Sequence, residues 1–214
     1  MENLNRYLSQ MSLTLQQLPR EPLADISHAI WETYLRDSTI IVCGNGGSAA
    51  TASHFACDLA KWTLRPNARR VRALALTDNI PLMTAWSNDA SYADVFLEQL
   101  ITHYRPGDMV FAISGSGNSA NVLRAVDWAN HCGANTVGIT GFDGGKLARL
   151  ARIALRVDNY VMPQVEDVHS TICHALAVNL GLQIEQSVLE GAAHTAPVLV
   201  EVPQRVYLER AIGD

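Results

Sequence analysis

The sequence predicts an α/β fold, a mostly parallel five-stranded sheet covered by helices on both faces. Three observations carry this expectation. Apolar runs of strand length alternate with segments of helical periodicity along the chain. The run Met109-Val110-Phe111-Ala112-Ile113 lacks the polar-apolar alternation of a strand with one wet face, as a strand buried on both faces should. Two turns rich in glycine and serine directly follow strands, at the carboxyl edge where parallel sheets place their ligands.

The elements follow in order. Leu4, Leu8, Met11 and Leu15 recur at helical spacing, and a second amphipathic segment runs from about 22 to 35. The alternation then begins with a strand over 39–43, a helix over 49–62, a strand over 71–76 and two helical stretches to about His103. It continues with a strand over 108–113, a helix over 118–131, a strand over 135–140, a short helix near 146–150, a strand over 153–157 and a long helix over 164–189. Residues 1–190 read as one domain whose first two helices precede the sheet. Residues 191–214 read as a C-terminal extension, a linker followed by a segment suited to an added edge strand or to crossing onto a partner subunit.

Composition sets the class. At 214 residues the chain is long enough to bury a sizeable core. Hydrophobic content of 48%, charged content of 17% and a mean hydropathy of +0.05 describe a soluble globular protein. A net charge of −5 with no lysine/arginine run gives no field for nucleic acid, so none is expected as a partner. Cys43, Cys57, Cys132 and Cys173 show neither C-x-x-C spacing nor disulfide-scaffold density, which fits reduced thiols in a cytoplasmic protein. No apolar run approaches membrane-spanning length, and the start lacks a secretory apolar region, so no membrane association is expected.

The chemistry centres on Ser114-Gly115-Ser116-Gly117-Asn118-Ser119, between a strand and a helix start. Free backbone N–H groups and the positive end of the helix dipole attract an anion there, and three hydroxyls can add donors. A nucleotide-triphosphate loop would need a Gly-Lys-Ser/Thr, which is absent, so a phosphate monoester is the expected ligand. The second turn, Cys43-Gly44-Asn45-Gly46-Gly47-Ser48, permits close backbone approach and ends in a hydroxyl expected at the helix N-cap. Its Gly44-x-Gly46-x-x-Ala49 spacing, with Asp78 after the next strand, nearly matches a dinucleotide fingerprint and leaves NAD as a rival ligand. His54 and Asp58 share one face of the following helix, placed near its N-terminal half and the ligand, and Glu166, Asp167, His169 and His174 open the last long helix. Two histidines and two carboxylates of this kind can bind a divalent metal such as zinc or serve as acid and base.

Taken together, Cys43–Ser48, His54-Phe-Ala-Cys-Asp58, Ser87-Asn88-Asp89, Ile113–Ser119, Thr140–Gly145 and Val165-Glu-Asp-Val-His169 with His174 resemble the sugar isomerase (SIS) domain. More narrowly, the set is similar to the phosphoheptose isomerases, which act on sedoheptulose 7-phosphate. The resemblance implies a three-layer α/β/α, flavodoxin-like sandwich. It also implies a homotetramer with the N-terminal helices in its core and sites shared between subunits. It puts the sugar phosphate on Ser48, Ser114, Ser116 and Ser119 with the backbone of Gly46, Gly47 and Gly115, and the sugar chain against Asn45, Asp89 and Glu166. The family's metal site, with zinc as the ion, maps to His54, Asp58, Glu166 and His174, and its acid/base pair to Asp58 and His174.

Four positions depart from the family's usual residues. Asp58 stands where glutamate is typical, Glu166 where glutamine is typical, Gly115 in place of a threonine and Pro163 in place of a substrate-contacting aspartate. A shortened arm at 58 moves the carboxylate by about 1.5 Å, a misplacement that can slow an acid/base catalyst roughly a hundredfold. A charge added at 166 favours divalent-metal binding. The expected activity is aldose–ketose isomerisation through a cis-enediol. The competing expectations are a non-catalytic SIS module that senses a sugar phosphate or binds protein, and an isomerase for another sugar phosphate. Retention of Asp58 and His174 favours the enzyme.

Overall fold

The computed structural model describes residues 1–191, so the expected extension lies, from residue 192 on, outside the described residues. Two helices, α1 (Glu2–Gln16) and α2 (Arg20–Leu35), lead into β1 (Thr39–Gly44), α3 (Gly47–Lys61), β2 (Arg72–Ala75), α4 (Ile80–Asp89) and α5 (Val95–His103). Then come β3 (Met109–Ser114), α6 (Ala120–His131), β4 (Asn135–Thr140), α7 (Leu147–Leu150), β5 (Ile153–Arg156) and α8 (Met162–Leu189).

All five strands are parallel, in the order β2-β1-β3-β4-β5. This is the doubly wound order in which the chain turns back at the neighbours β1 and β3, not the 3-2-1-4-5-6 order of a dinucleotide domain. The NAD reading therefore loses its topological support. Asp78, which it needed, instead accepts a short hydrogen bond from Ser53.

Strand side chains alternate between two separate cores. Ile40, Val42, Met109, Phe111, Ile113, Val137 and Ile139 face α2, α3 and α8, with the Phe55 and Phe111 rings 5.1 Å apart. Ile41, Cys43, Val110 and Ala112 face α5, α6 and α7. Each central strand is thus apolar on both faces, which explains its unbroken hydrophobic run. Met11 and Leu15 of α1 pack against the first core, while Leu4, Leu8 and Leu13 stay more than half exposed. No helix among the described residues is long and apolar enough to cross a membrane. All four cysteines are free, and burial pushes the Cys43 thiol up to about 12, far from reactivity.

The loop after β3 is pinned from below. Gly141 N–H donates to the Gly115 carbonyl and Leu147 N–H to the Gly117 carbonyl, both at 2.9 Å, and Lys146 N–H donates to Asn118 Oδ1 at 3.2 Å. Gly117 sits at φ +63° with the Gly144 carbonyl where a Cβ would stand. Gly117→Ala is therefore expected to destabilise the fold by about 1–3 kcal/mol through strain and overpacking. Urea denaturation checks this; an unchanged midpoint would contradict the packing described.

Candidate functional site

Two helices begin at the switch point, and neither has a side-chain cap. Gly46 caps α3 at φ +56° and ψ −123°, and Ser119 caps α6 at ψ 119° without using its hydroxyl. Ser48, expected as the cap of α3, lies one residue inside the helix start Gly47 and is 6% exposed. The reason is steric: Gly44 packs against the Ser48 backbone, so the turn closes earlier and glycine takes the positive-φ cap. In the serine loop, Ser114 Oγ accepts from Gly117 N–H at 3.2 Å and Ser116 Oγ accepts from Asn118 N–H at 3.3 Å. Ser114 and Ser119 hydroxyls lie 3.4 Å apart. Because backbone donors occupy these oxygens, hydroxyl protons remain to point at a ligand. Gly115 has a clear local cause here, since the Met162 thioether fills the space a side chain would take.

The two loops are tied by an amide pair that sequence reading did not find. Asn45 Nδ2 donates to Asn121 Oδ1 at 2.8 Å, Asn121 Nδ2 donates back to Asn45 Oδ1 at 2.9 Å, and Tyr92 Oη donates to the same Asn45 oxygen at 2.8 Å. Asn121 is 2% exposed at the start of α6. Asp89, expected on the sugar chain, is exposed at the end of α4 and accepts from Asn88 Nδ2 at 2.8 Å.

α3 and α8 pack side by side and run parallel. At one end the Glu166 carboxylate covers Gly47, and at the other His174 Nδ1 lies 2.8 Å from Asp58 Oδ2. His54 Nε2 is 3.5 Å from Asp58 Oδ1, and the two imidazoles meet edge to face at 4.8 Å. The carboxylate cannot donate, so His174 Nδ1 is the donor and Nε2 is the ring nitrogen left open to a ligand. Ligand atoms of His54, Asp58 and His174 lie within 4.8 Å of one another, a set that can hold a metal ion. Glu166, expected among the ligands, is outside that group and sits at the start of α3, where a negative charge meets the helix dipole. Asp58 falls in the C-terminal half of α3, not near its start as expected. Eleven residues separate it from Gly47, about 16 Å along the axis.

His169 lies on the same helix but faces the core. It is fully buried, its ring nitrogens have no hydrogen-bond partner among the described residues, and burial holds its pKa down at about 4. The Thr140 carbonyl opposes that shift weakly without reaching hydrogen-bonding geometry.

The fold and site define a class: a doubly wound α/β protein whose two strand-to-helix loops meet at the switch point, with a carboxylate–imidazole cluster along the adjoining helix pair. Known proteins are similar to it in sequence and fold. Residues 3–141 match the SIS domain. A phosphoheptose isomerase of Rhodospirillum rubrum is 37% identical over 154 residues, covering 72% of this chain and 81% of that protein. The lincomycin biosynthesis protein LmbN of Streptomyces lincolnensis is 39% identical over 159 residues, covering 70% of this chain and 58% of that one. The structure of phosphoheptose isomerase GmhA from Neisseria gonorrhoeae superposes with a TM-score of 0.77 at 30% identity, over 84% of this chain and 97% of that one. The chain belongs to the SIS-domain family, and within it to the phosphoheptose isomerases.

The histidine in the core has a measurable consequence. His169 is neutral when folded down to about pH 4 and protonates near 6.5 when unfolded, so its contribution is complete above 6.5 and is lost as pH falls toward 4. The loss is expected to reach about 3 kcal/mol, and His169→Phe should flatten that part of the profile. Urea midpoints between pH 7.5 and 4 check both.

Proposed function

We propose that this protein interconverts an aldose and a ketose phosphate, with sedoheptulose 7-phosphate as the ketose. The observation that carries the reading is the 2.8 Å contact between His174 Nδ1 and Asp58 Oδ2, on the helix that starts at the uncapped Gly/Ser turn. The serine loop and the α6 N-terminus anchor the phosphate, with Ser48 and the Gly46–Gly47 backbone on its other side and Asn45 and Asp89 along the sugar chain. That anchoring fixes the reacting carbons without taking part in the chemistry. Asp58 holds the His174 ring, whose Nε2 takes the proton from one carbon of the C1–C2 pair and returns it to the other through a cis-enediol. Glu166, over the start of α3, accepts from the sugar hydroxyls.

His54, Asp58 and His174 suit a divalent ion, zinc by donor type. Bound there, the ion would supply a positive charge beside the developing enediolate oxygen.

Assembly is part of the proposal. Leu4 and Leu8 on α1, together with Val178 and Leu182 on α8, are 42–58% exposed and would be buried in a homotetramer built on these helices. The separation of about 16 Å between Gly47 and Asp58 supports a site in which one subunit anchors the phosphate and its neighbour moves the proton. The match to a lincomycin biosynthesis protein favours one second reading, the same reaction on a different sugar phosphate. Residues 1–190 act as the catalytic domain and 191–214 as an extension, in a cytoplasmic protein.

Isomerisation of sedoheptulose 7-phosphate by the purified protein tests the reading. Asp58→Asn and His174→Ala should each lower kcat by about 10²–10⁴-fold while leaving phosphate binding unchanged. Full turnover in both variants would refute the assignment. Mixed tetramers of His174→Ala with Ser114→Ala/Ser116→Ala should regain part of the activity that each lacks alone; no recovery after verified subunit exchange would exclude the shared site.

A further inference from the structure

The hydrogen-bond directions around Asn45 can be fixed from one unambiguous donor. Val122 N–H can only donate, and it donates to Asn121 Oδ1 at 2.9 Å. That sets the Asn121 amide, so Asn45 must present its nitrogen to Asn121 Oδ1 and its oxygen to Asn121 Nδ2. The Asn45 oxygen, already accepting from Asn121, is also 2.8 Å from Tyr92 Oη. An amide oxygen cannot donate, so the Tyr92 proton is committed to it and both of its lone pairs are filled.

Two groups are left over, and they are complementary. The second Nδ2–H of Asn45 has no acceptor among the described residues, and Asn45 is half-buried one residue before the Gly46–Gly47 turn. The Tyr92 oxygen keeps its lone pairs but has no proton to offer, on a side chain that is 53% exposed. A donor and an acceptor thus stand on either side of the Asn45 amide beside the anion cradle, held by the buried Asn121 at the start of α6. Neither phosphate nor any other full anion suits that pair, because the Tyr92 oxygen would repel it. A hydroxylated chain suits both members: one hydroxyl donates to the Tyr92 oxygen, and another oxygen of the chain accepts from Asn45.

We infer that Tyr92 reads one hydroxyl of the substrate's carbon chain while Asn45 donates to another oxygen of that chain, making Tyr92 a specificity-determining residue and Asn121 the residue that positions the pair. The inference rests on the proposed sugar-phosphate site. It distinguishes a polyhydroxylated phosphate ester from inorganic phosphate, which the serine loop alone cannot do.

Tyr92→Phe removes the acceptor and leaves the ring. Calorimetric titration of the wild type and this variant with sedoheptulose 7-phosphate and with inorganic phosphate is the test. The expected result is a loss of about tenfold in affinity for the sugar phosphate, the worth of one neutral hydrogen bond, with phosphate affinity unchanged. Asn121→Leu, which frees the Asn45 amide to turn, should narrow the same preference. An unmoved preference in Tyr92→Phe, a parallel fall for both ligands, or a wild type that binds the two equally would overturn the inference. Turnover assays on the same samples separate the two claims: a tenfold selective loss in a protein without isomerase activity would sink the reaction and leave the hydroxyl reader standing. Normal turnover with an unmoved preference does the reverse.

Discussion

The site depends on β1 and β3 being neighbours while the helices that follow them leave for opposite faces of the sheet. At that switch point no crossover covers the carboxyl edge, and two helix N-termini converge with their N–H groups unclaimed by side-chain caps. The close approach this requires explains the glycines. Gly44 meets the Ser48 backbone, Gly117 meets the Gly144 carbonyl, and Gly115 and Gly141 leave room for Met162 and Val165 of α8. The first turn of α8 is the lid stone of the arrangement, and its parallel run beside α3 carries His174 to Asp58.

Charge divides the work between the two helix starts. Glu166 sets a carboxylate over Gly47, where the α3 dipole stabilises it and where a phosphate would be repelled. In the serine loop before α6, Ser114 and Ser116 oxygens accept from backbone N–H groups, which leaves hydroxyl protons to point inward. On the proposed reading the phosphate is therefore held chiefly from the α6 side, and the α3 side, bearing Asn45 and Glu166, faces the hydroxylated chain.

Most of the fold could be read from the sequence because its signals are local. The unbroken run at 109–113 marks a strand covered on both faces, and helical spacing located every long helix to within two residues. The strand-to-helix position of the serine loop and the His54/Asp58 pair at i,i+4 spacing were also legible, whereas His174 was joined to that pair, and Glu166 wrongly with it, only through the family resemblance. What stayed hidden depends on contacts between distant segments. Asn121 meets Asn45 across 76 residues, Tyr92 meets it across 47, and Glu166 reaches Gly47 only because α3 and α8 lie parallel. Ser48 failed as a cap for a related reason: propensity favours serine there, but the backbone packing against Gly44 decides where the helix begins.

Proton transfer at adjacent carbons, performed by the Asp58–His174 pair, is the central claim. Running the isomerisation of sedoheptulose 7-phosphate in deuterium oxide tests it most directly. A cis-enediol handled by an exchangeable imidazole proton predicts solvent deuterium at the carbon that gains hydrogen, accumulating over reversible turnovers. Product that keeps its original hydrogen after many turnovers would mean direct hydride transfer between the carbons, and would contradict the account.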